Sequence, residues 1–165
     1  MGGIDRLQLA VQAEARVVAT GSPQDQEHLR SLEATPVVYG VGLRARIDAA
    51  APDDISVAFD CAGEESLDLS IDLVSDRQRI ATLNDYRRYK VLGLQWTVGN
   101  RNGMRLAALM QTAVTGAFRN PVQRTYGLDE IEAAHRDVET GHGRGKIVVL
   151  VGAASTAWSP SESIR

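Results

Sequence analysis

The sequence predicts an α/β fold, a mainly parallel sheet with helices on both faces. Three observations carry that expectation. Short β-branched runs recur along the chain, segments with apolar residues at helical spacing separate them, and the runs are continuously apolar rather than alternating. Alternation of strand and helix argues for parallel neighbours, because a parallel connection needs a crossover long enough to be helical. Continuous runs fit strands covered on both sides.

The run Arg16 to Ala19 (RVVA) opens the strand series, with Val17 and Val18 expected inside. Ser22-Pro23 then starts a helix, with serine as N-cap and proline in the first turn. A second strand is expected at Val37 to Tyr39 and a third at Ser56 to Asp60 (SVAFD), with Val57 and Phe59 buried. Leu67, Ile71 and Val74 mark a helix before a fourth strand at Arg79 to Thr82 (RIAT) and a fifth at Gln95 to Val98. Leu106, Leu109, Met110 and Val114 share one helical face, and Leu128-Asp129 introduces a further helix carrying Ile131, Ala134 and Val138. Lys146 to Val151 (KIVVLV) is the last strand. From Gly152 to Arg165 small and polar residues dominate around Trp158, so a flexible tail is expected behind a single domain of residues 1–151.

Composition excludes several classes of function. Lys and Arg number 18 against 21 Asp and Glu, a net charge of −3, so no overall field draws nucleic acid or an anionic membrane. The short basic stretch Tyr86 to Lys90 (YRRYK) reads as a solvated loop or contact surface. A single cysteine, Cys61, excludes an internal disulfide and a thiolate zinc cluster and fits a reducing, cytoplasmic setting. The amino-terminal stretch lacks an export-signal pattern, and no window reaches the ~18 apolar residues a membrane crossing needs. A small molecule is the expected ligand.

Open parallel sheets bind ligands beyond the carboxyl ends of their strands. Those positions hold Thr20-Gly21-Ser22, Tyr39-Gly40, Cys61-Ala62-Gly63 and Thr82-Leu83-Asn84. Their hydroxyl, amide, thiol and glycine groups suit close approach to a ribose or a flat ring, and equally suit turns and helix caps. For chemistry without a cofactor, Tyr39 and Asn84 can donate to a carbonyl while Asp60 acts as base; Asp60 can instead cap the turn after it. The three histidines, His28, His135 and His142, have no zinc-ligand spacing, and His28 is expected to be solvated. Arg144 and Lys146 can meet a phosphate or guard an edge strand.

The stretches ARVVATGSPQDQEHLRSLEA, VAFDCAGEESLDLSIDLV and YGLDEIEAAHRDVETGHGRGKIVVLV resemble the nucleotide-binding half of zinc-independent medium-chain dehydrogenases/reductases, the quinone oxidoreductase and enoyl reductase group. The last stretch is the most specific, with helix, Thr-Gly-His, Gly-Lys and terminal strand in the family's order. The resemblance reaches to about Val151. It implies a Rossmann-like sheet that binds NADP or NAD, and reduction of a quinone or activated double bond in a cleft against a second, barrel-like catalytic domain. It implies further that Gly2, Gly3, Thr20, Ser22, Tyr39, Cys61, Ala62, Thr82 and Asn84 line the cofactor. Ser22 and Tyr39 fall on the adenosine side, Cys61-Ala62 and Thr82 to Asn84 on the ribose and nicotinamide side. No metal is implied.

Family chains enter this sheet through a strand ending in a loop of the type AAGGVG. Here the sequence starts inside that loop, at Met1-Gly2-Gly3-Ile4-Asp5, so the expected fold is truncated at its first strand and Asp5 stands at the loop's last glycine. A carboxylate there opposes a pyrophosphate at the helix N-terminus. Where relatives carry a lysine in a Ser-Pro-Gly-Lys setting, this chain has Ser22-Pro23-Gln24-Asp25. Weak or lost dinucleotide binding is therefore expected. Three functions remain open: a reductase reduced to its nucleotide-binding half, a cofactor-independent cyclase or isomerase in the emptied cleft, and a non-catalytic interaction subunit. A homodimer, or a separate chain bearing the catalytic domain, is expected to cover open sheet edges and apolar surface.

Overall fold

The computed structural model describes residues 2–96, 102–116, 118–119, 121–140 and 145–151. The chain divides into two compact units, residues 2–102 and 103–165. The tail from Gly152 onward, His142 and Arg144 lie outside the described residues.

The first unit opens with α1 (Gly2–Gln12), whose Leu7 is buried with Leu29 and Ala34 and flanked by Val11, Val17 and Ala19. Strand β1 (Val18–Gly21) follows, then a short turn at Pro23–Asp25, α2 (Gln26–Ser31) and β2 (Thr35–Val38), which pairs parallel with β1. Two glycines at positive φ, Gly40 at 98° and Gly42 at 79°, let the chain leave β2 and enter α3 (Leu43–Ala50). Strand β3 (Ala58–Asp60), α4 (Glu64–Leu73), β4 (Ile80–Thr82) and β5 (Gln95–Trp96) complete the unit. Here β4 lies between β3 and β5, all parallel, over a core of Leu67, Val74, Ile80 and Leu94. Thr97 and Val98, expected in β5, fall outside the described residues.

The five strands do not form one sheet. Strands β1 and β2 make one, β3, β4 and β5 another. A doubly wound sheet runs in the order 3-2-1-4-5-6. Taken in that order, β2 and β1 occupy the first two places, β3, β4 and β5 the last three, and no strand among the described residues takes the central one. This break corrects part of the expected core. Val57 is 56% and Phe59 39% exposed, and Val17 and Val18 are only half-buried, because β1 and β3 each have a partner on one side alone.

In the second unit α5 (Gly103–Val114) is followed by β6 (Val122–Gly127), α6 (Ile131–Glu139) and β7 (Lys146–Leu150), with β6 and β7 parallel. Ala134 is the buried residue of α6, and a turn at Leu128–Glu130 starts it where the sequence placed a boundary. Glu130 closes that turn by accepting the Gly127 N–H at 2.9 Å. Neither β6 nor α3 is expected from the sequence. Strand β6 (VQRTYG) mixes polar with apolar residues, and α3 buries a single side chain, Ile47, so neither gives a strong periodic signal.

Candidate functional site

The strand ends of the first unit carry two polar clusters. At the end of β3 and β4, Asp60 is 1% exposed and Thr82 fully buried. One Asp60 oxygen, Oδ1, accepts the backbone N–H groups of Ala62 and Gly63, each at 3.0 Å. The other, Oδ2, accepts the Thr82 hydroxyl at 2.7 Å. The Thr82 oxygen in turn accepts the N–H groups of Asn84 at 3.2 Å and Asp85 at 3.1 Å. Asn84, exposed, donates its side-chain N–H to the Cys61 carbonyl at 2.7 Å and so ties the two strand ends together. These bonds describe Asp60 as the cap of the turn after β3, with both carboxylate oxygens engaged.

Cys61 is half-buried, and burial pushes its thiol above the ordinary value, partly offset by the Arg6 charge. A raised thiol is protonated at neutral pH and a poor nucleophile. Gly3, in the first turn of α1, sits beside it: a Cβ there would lie 3.7 Å from Cys61 Sγ. The helix that carries Gly2 and Gly3 thus begins at the carboxyl end of β3. Asp5 is the acidic residue of its first turn.

The second cluster follows β1 and β2. Ser22 donates its hydroxyl to Asp25 Oδ2 at 2.6 Å, and Gln26 donates to the carbonyls of Gly21 at 3.2 Å and Ser22 at 2.9 Å. Thr20 is exposed, Ala62 likewise, and Tyr39 is 58% exposed with its N–H on the Gly21 carbonyl at 3.3 Å. Sequence reasoning missed Arg46. Its guanidinium donates to the carbonyls of Val38 at 2.9 Å, Val41 at 2.8 Å and Gly40 at 3.2 Å, bracing the turn beside Tyr39. The run Gly40-Val41-Gly42, with an arginine one helical turn on, is the signal that would have found it.

The structure therefore brings Gly3, Asp60, Cys61, Ala62, Thr82 and Asn84 together, and Thr20, Ser22 and Tyr39 together. Among the histidines, His28 is half-buried with Nε2 unpartnered by a hydrogen bond, not solvated as expected, and His135 is exposed. The basic stretch is tied into the fold: Arg88 pairs with Asp68 and Asp85, and Tyr89 stacks on Trp96 with ring centroids 5.2 Å apart. Among the described residues no helix is long and apolar enough to cross a membrane, and no group of three His, Cys, Asp or Glu side chains could hold a metal.

Comparison with solved structures gives the same fold. A quinone oxidoreductase from Coxiella burnetii superposes with a TM-score of 0.75 at 23% identity, over 91% of this chain and 49% of that one. A 2-octenoyl-CoA carboxylase reductase from Streptomyces sp. follows at 0.74 and 22% identity, over 94% and 40%. A mycobacterial protein complexed with NADPH superposes at 0.65 and 18% identity, over 90% and 53%. This chain spans about half the length of the solved proteins it matches. Comparison with curated protein sequences gives no match. A family model for the zinc-binding dehydrogenases matches residues 32–149, most of the chain, and on that match the chain belongs to this family of oxidoreductases.

Proposed function

We propose that the chain is the nucleotide-binding half of an NAD(P)H-dependent quinone or enoyl reductase, and that it binds dinucleotide weakly by itself. The family match over residues 32–149 carries this reading. The family's name implies zinc, but the donor set does not fit: one cysteine, three histidines and, among the described residues, no metal-holding group. No step is derived through a metal.

The fit to a dinucleotide is incomplete. In this reading Thr20, Ser22 and Tyr39, at the ends of β1 and β2, face the adenosine, and Cys61, Ala62 and Asn84, at the ends of β3 and β4, face the ribose and nicotinamide. Between them such a sheet holds pyrophosphate on the loop from its central strand to the following helix. Here Gly2 and Gly3 open that helix, Asp5 puts a negative charge in its first turn, and the central strand is not among the described residues. The buried hydroxyl of Thr82 is committed to Asp60, so it is a positioning group rather than a ribose contact. No hydride step is derived for the chain alone.

Fluorescence titration with NADPH and NADH at physiological salt tests the proposal. Saturable binding with a dissociation constant above about 1 μM is expected. Tighter binding would overturn the weak-affinity part, and no binding at millimolar dinucleotide would overturn the nucleotide-binding part.

A further inference from the structure

We propose that Asp25 makes the chain selective for NAD(H), whose adenosine ribose carries a 2′-hydroxyl, over NADP(H), whose ribose carries a 2′-phosphate. This rests on the nucleotide-binding reading above and names which dinucleotide that site takes. In a Rossmann-like sheet the choice is made roughly 20 residues beyond the helix-opening glycines, either by a carboxylate that accepts from the 2′-hydroxyl or by a cation that meets the 2′-phosphate. Counted from Gly3, that distance falls on the end of β1 and the turn behind it.

The last residue of β1, Gly21, has no room for the group. A Cβ there would stand 2.8 Å from Cδ1 of Leu29, a core residue, and 3.2 Å from Asp25 Cβ. The turn Pro23–Asp25 instead folds Asp25 back over the strand end, with its N–H on the Ser22 carbonyl at 3.0 Å. Helix capping does not account for its carboxylate: Asp25 stands at the N-cap of α2 without a side-chain cap bond, and Ser22 precedes the turn without one either. The two side chains bond each other, Ser22 Oγ donating to Asp25 Oδ2 at 2.6 Å. A carboxylate has about four acceptor positions, more than one serine hydroxyl uses, and the serine oxygen accepts as well. Such a pair receives the donor of a ribose 2′-hydroxyl. A 2′-phosphate brings about two negative charges and acceptor oxygens, and the Ser22 proton it would need is spent on Asp25. Two further donors at these strand ends are also committed. Gln26 bonds the carbonyls of Gly21 and Ser22, and Arg46, beside the end of β2, turns its guanidinium to the carbonyls of Val38, Tyr39, Gly40 and Val41. From Thr20 to Gln26 the sequence holds no lysine or arginine and one acid, Asp25.

Fluorescence titrations of the 165-residue chain with NADH and with NADPH give the ratio of the two dissociation constants for the wild type, Asp25→Asn and Asp25→Lys. NADH is expected to bind the wild type at least about tenfold more tightly than NADPH. Asp25→Asn removes the charge and keeps the shape, so the ratio should fall toward one, chiefly through tighter NADPH, and Asp25→Lys should invert it. A merely structural effect of either substitution weakens both dinucleotides alike, so the ratio isolates the ribose contact. Equal affinities or a preference for NADPH in the wild type overturn the proposal and leave the nucleotide-binding reading standing. A ratio unchanged in Asp25→Asn overturns it in the same way. Binding of neither dinucleotide at about 1 mM overturns the reading beneath it, and the selectivity with it.

Discussion

At the scale of single residues, Thr82 is the side chain on which the strand-end geometry depends most. It donates to Asp60 and accepts two N–H groups, all in a fully buried position. Thr82→Val keeps the shape but leaves a buried carboxylate oxygen and two amides without their partner, and should cost about 1–3 kcal/mol by urea denaturation. Thr82→Ser keeps the hydroxyl and should recover most of that loss. Cys61 makes a prediction about pH. Since burial raises its folded pKa, the folded chain holds the thiol proton to higher pH than the unfolded chain does. Its stabilising contribution is therefore full below the ordinary thiol range, about 8.5, and is lost as pH rises through the folded value. Iodoacetamide at pH 8 should accordingly modify the native chain more slowly than the urea-unfolded chain; equal rates would remove the burial argument.

At the scale of elements, the pairing of β6 with β7 rests on a glycine. Gly145 has φ of 129°, and a Cβ there would collide with the Pro121 carbonyl and come within 3.1 Å of Gln123 N. The Pro121 carbonyl also accepts the Lys146 N–H at 2.8 Å, the bond that starts the ladder. Gly145→Ala should therefore speed amide exchange across Val122–Gly127 and Lys146–Leu150 and lower stability by about 1–3 kcal/mol, read by NMR exchange. Strands β1, β2, β3, β4 and β7 were legible from their β-branched runs, within two residues at their ends. What the runs could not show was the number of neighbours. A continuous apolar stretch is written for a strand covered on both sides whether or not both neighbours are in hand, which is why Val57 and Phe59 read as buried and are not. Residues at the strand ends were legible for the same reason the strands were, since the positions follow directly from them. Arg46 was not, because its role is bonds to backbone carbonyls that no side-chain pattern encodes.

At the scale of the whole molecule, the chain holds both flanks of a doubly wound sheet and spans about half of the solved oxidoreductases it resembles. The family match covers residues 32–149, and the strand order shows where the sheet is interrupted, between β1 and β3, beside the start of α1. Pro36 then bears on how such an incomplete sheet behaves in a crowded solution. A ribbon open on two sides can recruit neighbours end over end and grow into a fibre. On the outer side of the β1–β2 ribbon, Pro36 lacks a donor that a further strand would need. Growth of the ribbon from that side is therefore disfavoured, and the missing donor acts as a stop against fibre-like stacking along β2.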